Sequence, residues 1–264
     1  MSDLKDMATL ITGAASGLGE ATARRFVSDG ARVLLSDLNE TRGQALAKEL
    51  GMPFIKTDVT DEEQVAKAVE RAVTEFGRLD CMINNAGIMG VIGSIRETSR
   101  EDWRATMAIL LDSVFHGTKH AARVMAPQRS GCILNTSSVA GFSALSAHAY
   151  TAAKHAVVGL TKTSASELAA YNVRVNAVAP GSVPSRLTSE VFGSEDQARK
   201  AAAGKTPIGR PVEAREIAGG FAYLASLDGA SITGQVLTID GGLTGCPTAQ
   251  NYHERPSAFM TGAA

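Results

Sequence analysis

A tyrosine and a lysine four positions apart, Tyr150 and Lys154, are the residues whose types and spacing best suit proton transfer. At this spacing on a helix, a phenol and an ammonium lie on the same face. A phenol has a pKa of about 10, and a neighbouring positive charge favours the phenolate and lowers that pKa toward neutrality. Alone, such a pair is usually an ordinary surface feature. Because it follows a strand end that carries Ser138, it predicts acid–base chemistry at a substrate oxygen held by the serine.

A glycine-rich turn, TGAASGLG at residues 12–19, lies between the first predicted strand and the first predicted helix. Glycines let the backbone approach a pyrophosphate, and the helix N-terminus offers free N–H groups and a positive dipole end. The spacing is GxxxGxG rather than GxGxxG, and a plain turn is the alternative interpretation. The position of the turn favours a dinucleotide site. Its candidate residues are Gly13, Ser16, Gly17, Leu18 and Gly19.

An acidic residue, Asp37, ends the second predicted strand, 18 positions after Gly19. A carboxylate here accepts hydrogen bonds from the adenosine ribose hydroxyls and repels a 2′-phosphate. The turn at residues 13–19 contains no Lys or Arg to hold such a phosphate, and Leu38 follows the aspartate. The sequence therefore predicts NAD(H) rather than NADP(H), unless Asp37 is an ordinary strand-end aspartate.

Two further strand ends carry candidate cofactor contacts. Asp58 and Val59 follow the third predicted strand, and Asn85, Ala86 and Gly87 follow the fourth. Ligands of doubly wound sheets bind beyond the carboxyl ends of the strands, where an adenine and its ribose would pass these residues. Asn and Gly are also common turn formers, so a purely structural role stays open.

The elements that must position these residues follow a strand–helix alternation. Seven strands are predicted at residues 7–12, 32–36, 53–57, 79–84, 132–136, 173–178 and 235–239. Most of these runs are apolar almost throughout, which is typical of parallel strands covered on both faces. Helix ends are indicated by a capping box at Thr60 and Glu63, by Gly77 and by the cap Ser99. The order predicts a single-domain α/β fold over residues 1–242, a doubly wound parallel sheet with helices on both faces.

Composition excludes several other classes of protein. The 264 residues are 44% hydrophobic with a net charge of −1, which argues against disorder and against non-specific nucleic-acid binding. No apolar run is long enough to span a membrane, and the first residues do not resemble a secretory signal. Three widely spaced cysteines fit neither a disulfide framework nor a metal site, and the histidines form no ligand constellation. We expect a cytoplasmic protein without a metal.

Taken together, TGAASGLG, the Asp37 strand end, NNAG, SSVAG, YTAAK and NAVAPG resemble the short-chain dehydrogenase/reductase family in order and spacing over about residues 5–242. The resemblance implies a Rossmann-type sheet with Ser138, Tyr150 and Lys154 as the active group, and Tyr150 and Lys154 are expected to contact the cofactor as well. It also implies cofactor contacts through Asn85 and through the loop that holds Pro180, Gly181 and Val183. A substrate-covering segment at about residues 184–207 and a homotetramer are implied as well. The extension 243–264 is expected to pack on a neighbouring subunit or near the substrate mouth.

Two positions depart from the family pattern. Ser185 stands where the family often has a Thr, and it keeps the hydroxyl. The family commonly carries an Asn whose main-chain carbonyl serves a proton relay near the lysine, and alignment places Leu110 there. Leucine keeps the carbonyl but loses the side-chain hydrogen bond.

The sequence leaves two hypotheses about function. The first hypothesis is hydride transfer between NAD(H) and a secondary alcohol or ketone, with a cyclic or bulky apolar substrate. The second is a catalytically impaired NAD-binding scaffold or sensor. His148, two positions before Tyr150, faces the substrate or is a loop histidine. An enoyl reductase is disfavoured because such enzymes separate Tyr and Lys by more than three residues.

Overall fold

Seven parallel strands form one sheet within the part of the chain that the computed structural model describes, residues 4–185, 189 and 193–246. The strands are β1 (Ala8–Thr12), β2 (Arg32–Asp37), β3 (Phe54–Lys56), β4 (Cys81–Asn84), β5 (Gly131–Thr136), β6 (Val173–Pro180) and β7 (Val236–Ile239). Their order in the sheet is β3-β2-β1-β4-β5-β6-β7. All seven predicted strands are confirmed, as is the Rossmann-type doubly wound sheet.

Helices cover both faces of the sheet. They are α1 (Gly17–Ser28), α2 (Glu40–Leu50), α3 (Glu62–Phe76), α4 (Arg100–Met107), α5 (Ser113–Gln128), α6 (His148–Leu168), α7 (Glu195–Ala203) and α8 (Ala214–Ala225). One core cluster joins the sheet to α1, α2 and α8, and it includes the fully buried Phe26 and Phe221. The other joins the opposite face to α3, α5 and α6 and includes Met125. Apolar burial on both faces explains why the strands are almost uniformly apolar.

The register of the strands brings the sequence motifs to one edge. Thr12 pairs with Ser36, Asn84 with Asn135, and Thr136 with Val178. Because all pairs are parallel, the loops after β1, β2, β4, β5 and β6 open at the same carboxyl edge of the sheet. This is the edge at which ligands of doubly wound folds bind.

Two of the three predicted helix ends are confirmed. The Ser99 hydroxyl accepts from the Asp102 amide and caps α4, and Gly77 ends α3 in the left-handed conformation. The capping box at Thr60 is wrong: the Asp61 carboxylate accepts from the backbone amides of the α3 first turn instead. Thr60 donates to the Asp58 carboxylate one turn earlier, because an aspartate two residues back offers it a closer acceptor.

Parts of two predicted segments lie outside the described residues. Of the substrate-covering segment at 184–207, residues 186–188 and 190–192 are outside, while α7 lies within it. Of the extension, residues 247–264 are outside. The start of the extension turns around Asp240, whose carboxylate accepts from both the amide and the hydroxyl of Thr244. Among the described residues, no helix is long and apolar enough to cross a membrane.

Candidate active site

Ser138, Tyr150 and Lys154 come together at the carboxyl edge of β5. Ser138 follows β5, and its hydroxyl lies close enough to the Tyr150 phenol to influence the pKa of that phenol. The Lys154 ammonium lies 5.6 Å from the centroid of the Tyr150 ring. Tyr150 is half-buried and Lys154 is only 4% exposed. The two residues occupy the first two turns of α6, so the predicted spacing does place them on one side of that helix.

Burial shifts the pKa of both groups of the pair. It lowers the pKa of Lys154 to about 8, because surrounding protein atoms replace the water that would solvate the ammonium. It raises the pKa of the Tyr150 phenol, and the nearby Ser138 hydroxyl offsets part of that rise. The expected lowering of the tyrosine pKa by Lys154 is therefore wrong for the protein alone. The ammonium instead donates to the carbonyl oxygen of Thr136 at 2.8 Å.

Close packing against β5 fixes the start of α6. The Ser137 hydroxyl donates to the Lys154 carbonyl oxygen at 3.2 Å. A Cβ added at Gly141 would lie 2.6 Å from the Ser137 hydroxyl and 2.9 Å from the same carbonyl oxygen. The short turn at Val139–Gly141 can therefore press on α6 only with a glycine at its end. This contact holds the helix that carries the tyrosine against the strand end that carries Ser138.

The glycine-rich turn presents the N-terminus of α1 at the same edge. A Cβ at Gly19 would lie 2.0 Å from the Gly13 carbonyl oxygen, and a Cβ at Gly13 would lie 2.7 Å from the Ala86 Cα. Gly17 has a φ of +56° and open space beside it. Ser16 is the N-cap of α1 but makes no side-chain cap hydrogen bond within the described residues. The turn therefore packs tightly on the sheet and leaves N–H groups that could hold an anionic group.

Asn85 joins the end of β4 to this turn. Its side-chain amide donates to the carbonyl oxygens of Thr12 and Gly13 at 3.0 and 3.2 Å. The Thr12 hydroxyl in turn accepts from the backbone amides of Asn85 and Ala86. Leu18 is half-buried at the start of α1, and Gly87 follows on the β4 loop. The side chain of Asn85 thus organises the loop, which leaves backbone groups at positions 85–87 as the surface for a ligand.

Asp37 lies beside the turn. One carboxylate oxygen accepts from the Ala15 amide at 2.9 Å and the other from the Asn39 amide at 2.8 Å. Leu38 next to it is 62% exposed. A cleft of about 640 Å³ adjoins Ser16 and Gly17, between α1 and α2. The carboxyl edge of the sheet therefore carries an acidic side chain, Asp37, that is hydrogen-bonded to the turn leading into α1.

The remaining predicted contacts lie around the same edge. The Asp58 carboxylate accepts from Thr60, and the Val59 carbonyl is within 3.2 Å of His116 Nδ1, so both help to build the turn into α3. Pro180 ends β6, and the Gly181 amide donates to the Ile239 carbonyl oxygen at 3.0 Å. Val183 is 7% exposed.

Leu110 is fully buried in a π-helical turn, Ala108–Asp112, that links α4 to α5. One of its methyl carbons lies 3.4 Å from the Cβ position of Gly87. Sequence reasoning placed this residue near the lysine, and the structure places the turn in contact with α6. The sequence did not indicate a role for the Thr136 carbonyl oxygen or for the Thr12 hydroxyl. A backbone acceptor such as the Thr136 carbonyl leaves no signature in residue type.

Comparison with known proteins agrees with this architecture. A family model described as enoyl-(acyl carrier protein) reductase matches residues 13–244. Momilactone A synthase of Oryza sativa subsp. japonica is 43% identical over 89% of this chain and 89% of its own. Borneol dehydrogenase of Lavandula x intermedia is 39% identical over 91% of this chain and 92% of its own. The solved structure of levodione reductase has a TM-score of 0.83 and 34% identity, covering 90% of this chain and 98% of its own.

These matches extend over nearly the whole fold. The chain belongs to the short-chain dehydrogenase/reductase family. It is an oxidoreductase of a family whose members use nicotinamide cofactors, and its relatives include dehydrogenases named for borneol and for trans-4-hydroxycyclohexanecarboxylate.

Proposed function

We propose that this protein transfers a hydride between NAD(H) and a secondary alcohol or ketone, with Tyr150 as the acid–base group. The observation that carries the proposal is the position of the Tyr150 ring, near Ser138 at the end of β5 and 5.6 Å from the ammonium of the buried Lys154. Two hydroxyl groups that lie close together can both reach one substrate oxygen. The serine then holds that oxygen while the tyrosine exchanges its proton.

Lys154 acts from behind the tyrosine. Its ammonium is anchored on the Thr136 carbonyl, and its pKa of about 8 lets it change protonation state near neutral pH. A positive charge at this position stabilises the phenolate that forms when Tyr150 gives up a proton.

The residues of the glycine-rich turn fit a dinucleotide. Free N–H groups at Ser16, Gly17 and Leu18 would hold the pyrophosphate, with Gly13 and Gly19 giving the close approach. Asp58, Val59 and backbone groups at 85–87 would contact the adenosine, and Pro180, Gly181 and Val183 the nicotinamide end. A bound nicotinamide supplies or accepts the hydride. We propose NAD rather than NADP because the Asp37 carboxylate would accept from ribose hydroxyls and repel a 2′-phosphate.

An apolar substrate is supported by the loops around the site. Ile88, Ile92 and Ile95 on the loop after β4 are exposed, as are Phe142 and Leu145 on the loop after β5. Large apolar side chains exposed at a ligand-binding edge mark a surface that an apolar ligand covers. The names of the relatives, borneol dehydrogenase and levodione reductase, also refer to cyclic compounds. We therefore propose a cyclic or bulky apolar alcohol or ketone.

We also propose a homotetrameric assembly and a cytoplasmic location. A homotetramer follows from the family resemblance alone. A cytoplasmic location fits the three free cysteines of the described residues, of which Cys246 is exposed, because exposed thiols persist in reducing compartments.

A panel of substrates with each cofactor tests the proposal. We expect NADH formation at 340 nm from NAD with cyclohexanol or borneol, and a lower rate with NADP. Reduction of a crotonyl thioester by NADH, without turnover of alcohols, would replace the proposal with an enoyl reductase. Tight binding of NAD, measured by calorimetry, without turnover of any compound would support the scaffold or sensor instead.

A further inference from the structure

His148 links the two loops that flank the candidate active site. It is the first residue of α6, two positions before Tyr150, and its Nε2 lies 2.8 Å from the Thr98 hydroxyl oxygen. Its ring stacks on Trp103 of α4 with 6.3 Å between centroids and 8° between planes. Of the two sequence interpretations, the structure thus favours a histidine engaged with protein groups over one that faces the substrate.

The N-terminus of α6 lies next to this contact and lacks a side-chain cap. The cap residue Ala147 makes no side-chain hydrogen bond, so the helix has no conventional cap to fix its first turn. The hydroxyl of Thr98 lies 3.1 Å from the Ser94 carbonyl oxygen and can donate to it. When it does so, Nε2 of His148 carries a proton and donates to Thr98. The chain Ser94–Thr98–His148 then runs from the loop after β4 into the helix that carries Tyr150.

The loop at residues 88–98 is also hydrogen-bonded near its start, at Val91. The Val91 amide donates to the Thr106 hydroxyl at 3.0 Å, and Thr106 is buried in α4. Gly90 has a φ of +68°, and a Cβ there would lie 2.3 Å from a methyl carbon of Thr106. Between the contacts at Val91 and Thr98, Ile92 and Ile95 are 62% and 71% exposed. Their position is therefore set by α4 on one side and by His148 on the other.

The loop directly before His148 carries two further exposed apolar side chains. Phe142 is 44% exposed and Leu145 is 56% exposed. Since the contact of His148 with Thr98 joins residues 142–147 to residues 88–98, it limits how far the two apolar loops can separate. We propose that His148 is a positioning residue that, through Thr98 and Trp103, fixes the width of the apolar substrate mouth and so determines selectivity between bulky and small alcohols.

This inference rests on the proposed function, and its effect should appear in selectivity. In His148→Ala, we expect the ratio of kcat/KM for borneol to that for cyclohexanol to change at least fivefold, mostly through the KM for borneol. The kcat for cyclohexanol should stay within a factor of two. His148→Gln keeps a donor near the Nε2 position and should restore most of the ratio. Thr98→Val removes the partner hydroxyl and should reproduce the alanine variant. His155→Ala, an exposed histidine further along α6, is the matched control.

A second readout does not need turnover. Trp103 is the single tryptophan of the chain, so its fluorescence reports on the stacked pair directly. Acrylamide should quench it more strongly in His148→Ala than in wild type or His155→Ala. An unchanged selectivity ratio, or equal losses of kcat on both alcohols, would overturn the positioning role. If wild type turns over no alcohol, the proposed function fails, and quenching then decides whether the His148 contact exists: unchanged quenching overturns it.

Discussion

The Lys154 ammonium donates to the carbonyl oxygen of Thr136 at 2.8 Å, across the gap between α6 and the end of β5. This bond holds a cation that is otherwise buried among apolar and backbone groups, since Lys154 is only 4% exposed. The site keeps an ammonium whose pKa is about 8 beside a phenol.

Stability should depend on pH through Lys154. Its pKa is about 8 in the folded protein and about 10.4 in an unfolded chain. Between these values the unfolded chain binds more protons, so the free energy of unfolding contributed by this group rises from pH 8 to 10, by up to about 3 kcal/mol. Urea unfolding at pH 7 to 10 should show this rise in wild type and not in Lys154→Met.

The exposed Lys162→Met on the same helix is the control for that experiment. It should follow the wild-type profile, and the difference between the two variants removes the contribution of other titrating groups. Parallel profiles for Lys154→Met and wild type would mean that the ammonium is not desolvated as described.

Ser138 should control the pH at which oxidation begins. Its hydroxyl lowers the pKa of Tyr150, so Ser138→Ala should raise that pKa further. Alcohol oxidation needs the phenolate, and its rate therefore rises as pH passes through the pKa. We expect the rising limb of the kcat/KM profile to move to higher pH and the maximum to fall about 10- to 100-fold, as for the loss of a hydrogen bond to a charged group. Ser143→Ala, in the following loop, should leave the profile in place; a shift equal in both variants would contradict the assignment.

Asp37 should set cofactor preference. Asp37→Asn keeps an acceptor for the Ala15 amide but removes the charge, so the ratio of kcat/KM for NADP to that for NAD should rise about tenfold or more. Initial rates with each nucleotide measure the ratio. Glu40→Gln, at the start of α2, removes a nearby exposed charge and should change it little. An unchanged ratio in Asp37→Asn would contradict the role given to the carboxylate.

Leu110→Asn should affect stability rather than chemistry. The residue is fully buried, so an amide there loses apolar contacts and finds few partners, at a cost of about 2–5 kcal/mol. Leu110→Ala should cost a similar amount through its cavity alone. Rate and pH profile per folded molecule should match wild type in both variants. An inactive wild type that gains turnover in Leu110→Asn would instead favour the impaired scaffold.

The sequence predicted the strands and the order of motifs because both depend on local patterns. Uniform apolar runs indicate buried parallel strands, and Gly13 and Asp37 stand at fixed positions relative to strand ends. It misplaced the cap of α3, since Asp61 and Thr60 are equally good candidates until the Asp58 turn is known. It also misjudged the Tyr150 pKa, because desolvation depends on packing that no residue spacing encodes. The stacking of His148 on Trp103 could not be predicted either, because it joins residues 45 positions apart in the sequence.

Replacement of the Tyr150 phenol tests the central claim most directly. In Tyr150→Phe, the rate of NADH formation at 340 nm with the best alcohol should fall about 10²- to 10⁴-fold, the range for loss of an acid–base group. The Kd for NAD, measured by calorimetry, should change less than threefold, since the ring and its packing remain. A variant that keeps a tenth or more of the wild-type rate would contradict the account, because the proton would then be exchanged by a group other than Tyr150.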